Sequence, residues 1–344
     1  MKIVIAPDSF KGCLSSSEVA HAMYDGVREV FPNCDIIRLA ISDGGEGMVE
    51  ALVDTLKGHL SHALVSDPLD RPINASFGIA GDLAIIESAS ACGLTLLKEK
   101  ERNPLITTTK GLGKLILAAI NQGCRRFLIG LGGSATNDGG MGMIRYSGFL
   151  EKAKGLDFTI ACDVDTPYIG PNGSSRIFGP QKGASPDDVE ILEKRLTDYA
   201  KLILEETGVD VSNIPGAGAA GGLGGAFKAY LGANLKLGID LVLDNIGFDN
   251  IINGADLVIT GEGCSDYQTL KGKTATGVLE HAHRQGIPVA LVSGGIKDED
   301  LLKKGGFSII ERVSPEGMHL EEAMQPEVAK NNIRLAIKNL FKHE

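Results

Sequence analysis

Short apolar, β-branched runs alternate along this chain with stretches of helical periodicity, and that alternation most limits the folds open to it. Strands separated by amphipathic helices build parallel sheets covered on both faces, so an α/β fold is expected. Residues 3–6 read as a first strand. A Ser15-x-x-Glu18 capping box then opens a helix running to residue 30. The next strand is expected at 36–41 and the next helix at 48–56. Further strands are expected at 257–260, 289–292 and 308–310, with helices at 274–285 and 299–304 and a closing amphipathic helix over 320–341. These terminal portions read as one doubly wound parallel sheet.

The middle has a different texture. Three closely spaced strands at 63–65, 75–79 and 83–87 suggest an antiparallel element, followed by a helix at 108–122 and strands at 127–130 and 158–161. Ser185 as cap and Pro186 in the first turn open a helix to residue 206. The expected organisation is discontinuous. Residues 1–62 and 246–344 form one α/β domain, and residues 63–245 form an inserted mixed α/β domain.

A length of 344 residues suits one large domain or two ordinary ones. The net charge of -10, with no basic stripe, argues against nucleic acid as a partner. No apolar run of about 18 residues or more predicts a membrane span, and the start Met1-Lys2-Ile3-Val4-Ile5 reads as a strand rather than a leader. The cysteines at 13, 34, 92, 124, 162 and 264 include no Cys-x-x-Cys pair, so reduced thiols in a cytoplasmic protein are expected. No histidine spacing suggests a metal site. Small molecules are the expected partners, and self-association is left open.

Five polar, glycine-rich segments interrupt the regular elements. Asp8-Ser9-Phe10-Lys11-Gly12, Asp43-Gly44-Gly45-Glu46-Gly47, Gly132 to Gly140 and Gly261-Glu262-Gly263-Cys264-Ser265-Asp266 follow strands or lie close behind them, and the fifth runs from Gly216 to Gly225. Ligands of open α/β sheets bind beyond the carboxyl ends of strands, so these loops are expected to converge on one cleft. In Gly132-Gly133-Ser134-Ala135-Thr136-Asn137-Asp138, glycine lets the backbone approach an anion, and successive N–H groups can cradle phosphate. Asp138 suits magnesium or a substrate hydroxyl; the alternative is a helix cap. Gly216-x-Gly218-x-x-Gly221 is formally a dinucleotide fingerprint, with Asp240 standing 19 residues beyond Gly221, yet the preceding residues 211–215 make a poor strand. Phosphate binding and close packing stay open there. Gly272-Lys273-Thr274 resembles the end of a Walker A loop whose first glycine position holds Tyr267, so no P-loop is expected. Lys273 and Lys11 are candidates to hold phosphate or carboxylate, against solvated lysines. Asp43 and Glu46 suit Mg²⁺ or substrate hydroxyls, against capping of the helix that follows. Asp163 and Asp165 suit a metal or a turn equally. No histidine or cysteine nucleophile accompanies this set. Carboxylates, a few lysines and glycine-rich backbone fit phosphoryl transfer, which is mostly positioning and charge stabilisation.

The chain resembles the class I glycerate kinases. The resemblance is carried in order by IAPDSFKG (5–12), ISDGGEG (41–47), ERNP (101–104), GLGGSATNDGGMGM (130–143), ACDVD with GPNG (161–173), FGPQKGA (178–184), PGAGAAGGLG (215–224) and ITGEGCSDYQTLKGKTATGV (259–278). It implies transfer of phosphate from ATP to D-glycerate, with 2-phosphoglycerate favoured over 3-phosphoglycerate. It also implies a flavodoxin-like domain beside one resembling restriction endonucleases. Where the family usually has Gly-Arg-Ile-Asp, this chain has Gly263-Cys264-Ser265-Asp266, and the stretch between Phe149 and Thr159 is shorter than usual. Asp266, Gln268, Thr269 and Lys273 match the family pattern.

The leading expectation gives anion binding to Lys11 and Lys273. The ATP phosphates go to Gly132, Gly133, Ser134, Ala135 and Thr136, with Gly216, Gly218, Gly221 and Gly222. Asp43, Glu46 and Asp138 would hold Mg²⁺ or orient glycerate, with Asp8, Ser9, Gln268 and Thr269 nearby and Asp266 as the base. Two alternatives stand beside it: an NAD-linked hydroxy-acid dehydrogenase resting on Gly216–Gly221, and a metabolite-binding relative without activity.

Overall fold

A computed structural model describes every residue except Asp43, Gly44, Glu46, Lys271, His343 and Glu344. In chain order its strands are β1 (Lys2–Ile5), β2 (Asp35–Arg38), β3 (His59–Ser66), β4 (Pro72–Ala80), β5 (Leu83–Glu87), β6 (Arg126–Gly130), β7 (Asp157–Ala161), β8 (Asn234–Lys236), β9 (Leu257–Ser265), β10 (Val289–Ile296) and β11 (Ile309–Arg312). The chain divides into two compact units: Met1–Asp43, Asp54–Leu56 and Ile239–Glu344 form the first, and Gly44–Val53 with Lys57–Gly238 the second.

The first unit carries an all-parallel sheet in the order β11-β10-β9-β1-β2. Renumbered within the unit this is 2-1-3-4-5, the flavodoxin-like order, with its topological switch point between β1 and β9. Parallel strands buried on both faces read as continuous apolar runs, and Ile3, Val4 and Ile5 are all fully buried. Ile3 and Ile5 pack with Val19, Met23 and Val27 of the helix Ser16–Val30 and with Ile333 and Ile337 of the helix Pro326–Leu340. Those helices meet at Gly26, where a Cβ would stand 2.7 Å from Ile337 Cβ. The Ser15–Glu18 capping box is present, Glu18 N–H donating to Ser15 Oγ and Ser15 N–H to Glu18 Oε2.

Two expectations change in this unit. The closing helix is broken into Leu320–Ala323 and Pro326–Leu340, because Pro326 has no N–H to donate and fits only a first turn. The segment from Gly261 to Ser265, expected as loop, is the far end of β9 and pairs with β10 as far as Ser265 opposite Ile296. Glycine permits that extension: a Cβ on Gly261 would stand 2.1 Å from Val292 O, and one on Gly294 would stand 2.4 Å from Gly263 O.

The second unit is built on a mixed sheet in the order β3-β4-β5-β6-β7-β8. The β3-β4-β5 half is antiparallel, as the close spacing of those strands predicts, and β5 to β8 run parallel. Phe127, Phe158 and Phe227 stack through its core, with ring centroids 4.6 and 6.0 Å apart in succession. The register sets Glu87, Gly130 and Ala161 side by side at the carboxyl ends of β5, β6 and β7. The loops that follow all leave one edge of the sheet. Residues 44–53 and 57–62 go with this unit rather than with the terminal one, and 239–245 with the first. The cause at 44–53 is visible: Glu87 accepts from Val49 N–H at 3.1 Å, with Gly47 and Met48 N–H beside it, and so anchors the start of the helix Met48–Thr55. Burial pushes the Glu87 carboxyl up while these donors pull it down.

Candidate active site

Each unit presents its own cavity. In the first, the loop after β1 and the end of β9 flank the switch point. Between them Asp8, Ser9, Lys11, Glu262, Cys264 and Lys273 line a cavity of about 1060 Å³, part of it open to solvent. The polar residues share it with an apolar wall that includes Phe10, Val313 and Met324. Asp8 is fixed by local donors: Ser9 N–H reaches its Oδ1 at 2.6 Å, and the Thr274 hydroxyl donates to its Oδ2. Lys273 is the N-cap residue of the helix Thr274–Arg284. Glu262 Oε1 accepts from the hydroxyls of Thr269 at 2.6 Å and Ser265 at 2.9 Å, which aim this carboxylate from behind.

Four of the residues expected to act together (Asp8, Ser9, Lys11 and Lys273) therefore line one cavity. Asp266 and Gln268 do not line it. Asp266 Oδ1 accepts Gln268 N–H at 2.8 Å, which makes this carboxylate the head of its own turn. Thr269 is fully buried and acts on Glu262. The Glu262 role was missed because a β9 ending at residue 260 rather than at Ser265 leaves Glu262 in a loop without direction.

In the second unit the loops after β5, β6 and β7 enclose a cavity of about 670 Å³, again partly solvent. Gly132, Gly133, Ser134, Asp163 and Lys182 supply its polar lining, and Leu94, Leu131, Val164, Phe178, Ala219 and Ala220 its apolar walls. Gly133 is left-handed at φ 72°. Its carbonyl accepts Leu94 N–H at 2.9 Å, and Ala135 N–H donates to Cys92 O at 2.6 Å, so both flanks of the turn are pinned. Among the described residues, the N–H groups of Gly132, Gly133 and Ser134 have no acceptor. Three successive donors around a left-handed turn are a concavity suited to an anion.

Asp138 takes the alternative considered for it. It is buried, and its carboxylate accepts Thr109 N–H at 2.8 Å, the Thr109 hydroxyl at 3.0 Å, Gly142 N–H and Gly140 N–H both at 3.1 Å, and the Thr108 hydroxyl at 3.3 Å. Those donors come from the starts of the helices Lys110–Asn121 and Met141–Ile144. Burial pushes the Asp138 carboxyl up, and these bonds oppose it. Four of these five bonds fall on Oδ2 and one on Oδ1, so the group serves to cap the two helix starts. Asp43 and Glu46 lie outside the described residues.

The Gly216–Gly225 segment is also corrected. No strand precedes it, so it is not a dinucleotide-binding turn, and the dehydrogenase alternative loses its motif. Ala220, Gly221 and Gly222 are left-handed inside the helix Ala219–Leu231. A Cβ would stand 2.0 Å from Thr136 O at Gly221, 2.8 Å from Gly139 Cα at Gly222 and 2.2 Å from Pro167 O at Gly218. Gly139 N–H donates to Gly221 O at 2.9 Å. These glycines let one backbone lie against another, behind the Gly132–Ser134 turn. Gly216 packs its Cα side toward Cys162 Sγ. Ala135 and Thr136 are buried beneath the turn and do not line the cavity. Asp163 accepts Gly238 N–H at 2.8 Å, a long-range bond to the first residue of the helix Gly238–Ile246.

Lys182 escaped the sequence reading, though it stands in the quoted stretch 178–184. It is 3% exposed, and its ammonium donates to Thr136 O at 2.7 Å and Ser134 Oγ at 3.0 Å. A lysine between glycines reads as solvated; only the packed turn around Pro180–Lys182 buries it.

Among the described residues, no three His, Cys, Asp or Glu side chains gather as metal ligands, and no helix is long and apolar enough to cross a membrane. The model of the glycerate kinase family matches residues 3–150 and 144–343. The chain is 42% identical to the glycerate kinase of Bacillus subtilis (strain 168), over 94% of this chain and 93% of that one. It is also 42% identical to the glycerate 2-kinase of Escherichia coli (strain K12), over 99% and 97%. A crystal structure from Salmonella typhimurium LT2, assigned as glycerate kinase 2, superposes with a TM-score of 0.89 at 40% identity, covering 98% of this chain and 96% of that one.

Proposed function

Because the chain belongs to the glycerate kinase family, we propose that it transfers the terminal phosphoryl group of ATP to a hydroxyl of D-glycerate, in the manner of class I members and in the cytoplasm. The observation that carries the nucleotide half is the turn at Gly132–Ser134, whose three N–H groups face no protein acceptor among the described residues, at the mouth of a mainly apolar cavity. Apolar walls with a few placed polar groups suit a base at one end and phosphates at the other. The acceptor belongs to the first unit, where Lys11 and Lys273 offer cations to a carboxylate or to the migrating phosphoryl group. Asp8, held by Ser9 and Thr274, takes the proton from the attacking hydroxyl as the new P–O bond forms and the bond to the departing ADP oxygen breaks. Magnesium, when bound with the nucleotide, would neutralise charge on its phosphates, as Mg²⁺ usually binds substrate phosphates with only one or two carboxylates.

The test is ADP release from ATP with D-glycerate, with Mg²⁺ and with EDTA, and ³¹P NMR of the product. Turnover that needs the metal and yields 2-phosphoglycerate is expected, the regiochemistry resting on the E. coli relative being named a 2-kinase. Thermal stabilisation by both ligands without turnover would leave a binding protein instead.

Cys264 is exposed on the acceptor cavity where the resemblance places arginine. Cys264→Arg adds a guanidinium able to pair with a carboxylate. It is expected to lower KM for D-glycerate about three- to tenfold with kcat unchanged, the gain held down by solvent. An unaltered KM would separate this position from the acceptor.

A further inference from the structure

A lysine ammonium taken out of water must be compensated by charge or by hydrogen bonds. Lys182 has two neutral acceptors, Thr136 O and Ser134 Oγ, and among the described residues none for its third hydrogen. The nearby titratable groups are Asp138, whose carboxylate already accepts five other donors and has no hydrogen bond from Lys182, and the Cys92 thiol, which burial keeps neutral. The ammonium is thus under-compensated, and Lys182 is among the residues lining the same cavity as Gly132, Gly133 and Ser134 with their undirected N–H groups. The acidic side chain that lines this cavity, Asp163, accepts from Gly238 N–H rather than from Lys182.

We propose that Lys182 is the charge anchor for the phosphate chain of a nucleotide held in the cavity of the second unit. This rests on the kinase reading and adds to it the residue on which the affinity for the anionic part of that ligand depends. The alternative is a strut, a lysine that merely ties down the Ser134–Thr136 backbone. The two differ in what charge does. A strut serves any ligand of the cavity equally; an anchor discriminates a triphosphate from the bare nucleoside. Desolvation pulls the Lys182 amine down to about 7. At pH 8 much of it is therefore neutral, and an arriving polyphosphate draws a proton onto it.

The experiment is calorimetric binding of MgATP and adenosine to the full chain and to Lys182→Gln, which keeps N–H donors and removes the charge. The variant is expected to bind MgATP about ten- to a hundredfold more weakly, as for loss of a charge-assisted bond, with adenosine affinity within twofold. For the unaltered chain at pH 8, heats measured in HEPES and in Tris should differ by the signature of proton uptake, absent from the variant. Equal weakening of both ligands, or unchanged MgATP affinity, overturns the anchor. Should the variant not fold, the absence of proton uptake by the unaltered chain does the same. A chain that binds no nucleotide at all sinks the kinase reading. Tripolyphosphate then serves as the probe, and only its proton-coupled binding would keep the anchor.

Discussion

Asp8→Asn is expected to lower kcat by about a hundred- to ten-thousandfold, the range typical of losing a general base, while KM for D-glycerate moves less than threefold. The substitution is nearly isosteric, and an amide oxygen still accepts from Ser9 N–H or the Thr274 hydroxyl, so the loop after β1 keeps its shape. What vanishes is the capacity to take a proton. Asp266→Asn is the control: its carboxylate caps Gln268 N–H and does not line the cavity, so kcat should fall less than tenfold. Steady-state kinetics of the two variants at saturating ATP decide between them. Were Asp266→Asn the more damaging, the base would belong to the turn after β9.

Gly221→Ala carries the largest expected loss of stability. Two independent costs meet there. The residue is left-handed at φ 73°, which costs a side chain about 1–2 kcal/mol, and the added methyl would stand 2.0 Å from Thr136 O. Overpacking of this kind adds about 1–3 kcal/mol. Since the opposing atom is backbone in a pinned loop, relief requires the whole segment to shift. Thermal unfolding should begin about 10 °C lower, on the usual scaling for domains of this size, whereas nucleotide affinity of the remaining folded protein should change little. A large loss of affinity with Tm preserved would return this glycine to the ligand.

How much of this was legible in the chain depended on whether the signal was local. The capping box at Ser15 and the Ser185 cap with Pro186 behind it are read from a few residues and are present as read. The spacing of the strands from residue 59 to 87 announced its hairpins, and loops behind apolar strands announced where ligands go. What failed was long-range. A glycine looks the same whether it leaves room for phosphate, as at Gly132, or for another stretch of backbone, as at Gly221. Asp138 beside glycines suggested a ligand until five donors were found on it, three of them from Thr108 and Thr109 about 30 residues earlier. Lys182 drew no reading of its own, because burial is a property of what folds over a residue. Pro326 was the avoidable error: its own chemistry marks a helix start.

Of the chain's six cysteines, Cys264 is the exposed one; Cys34, Cys92, Cys124 and Cys162 are buried and Cys13 half-buried. A maleimide dye added to the unmodified protein would thus settle first on the wall of the cavity proposed for glycerate, giving a built-in optical reporter of acceptor binding without any engineering of the polypeptide.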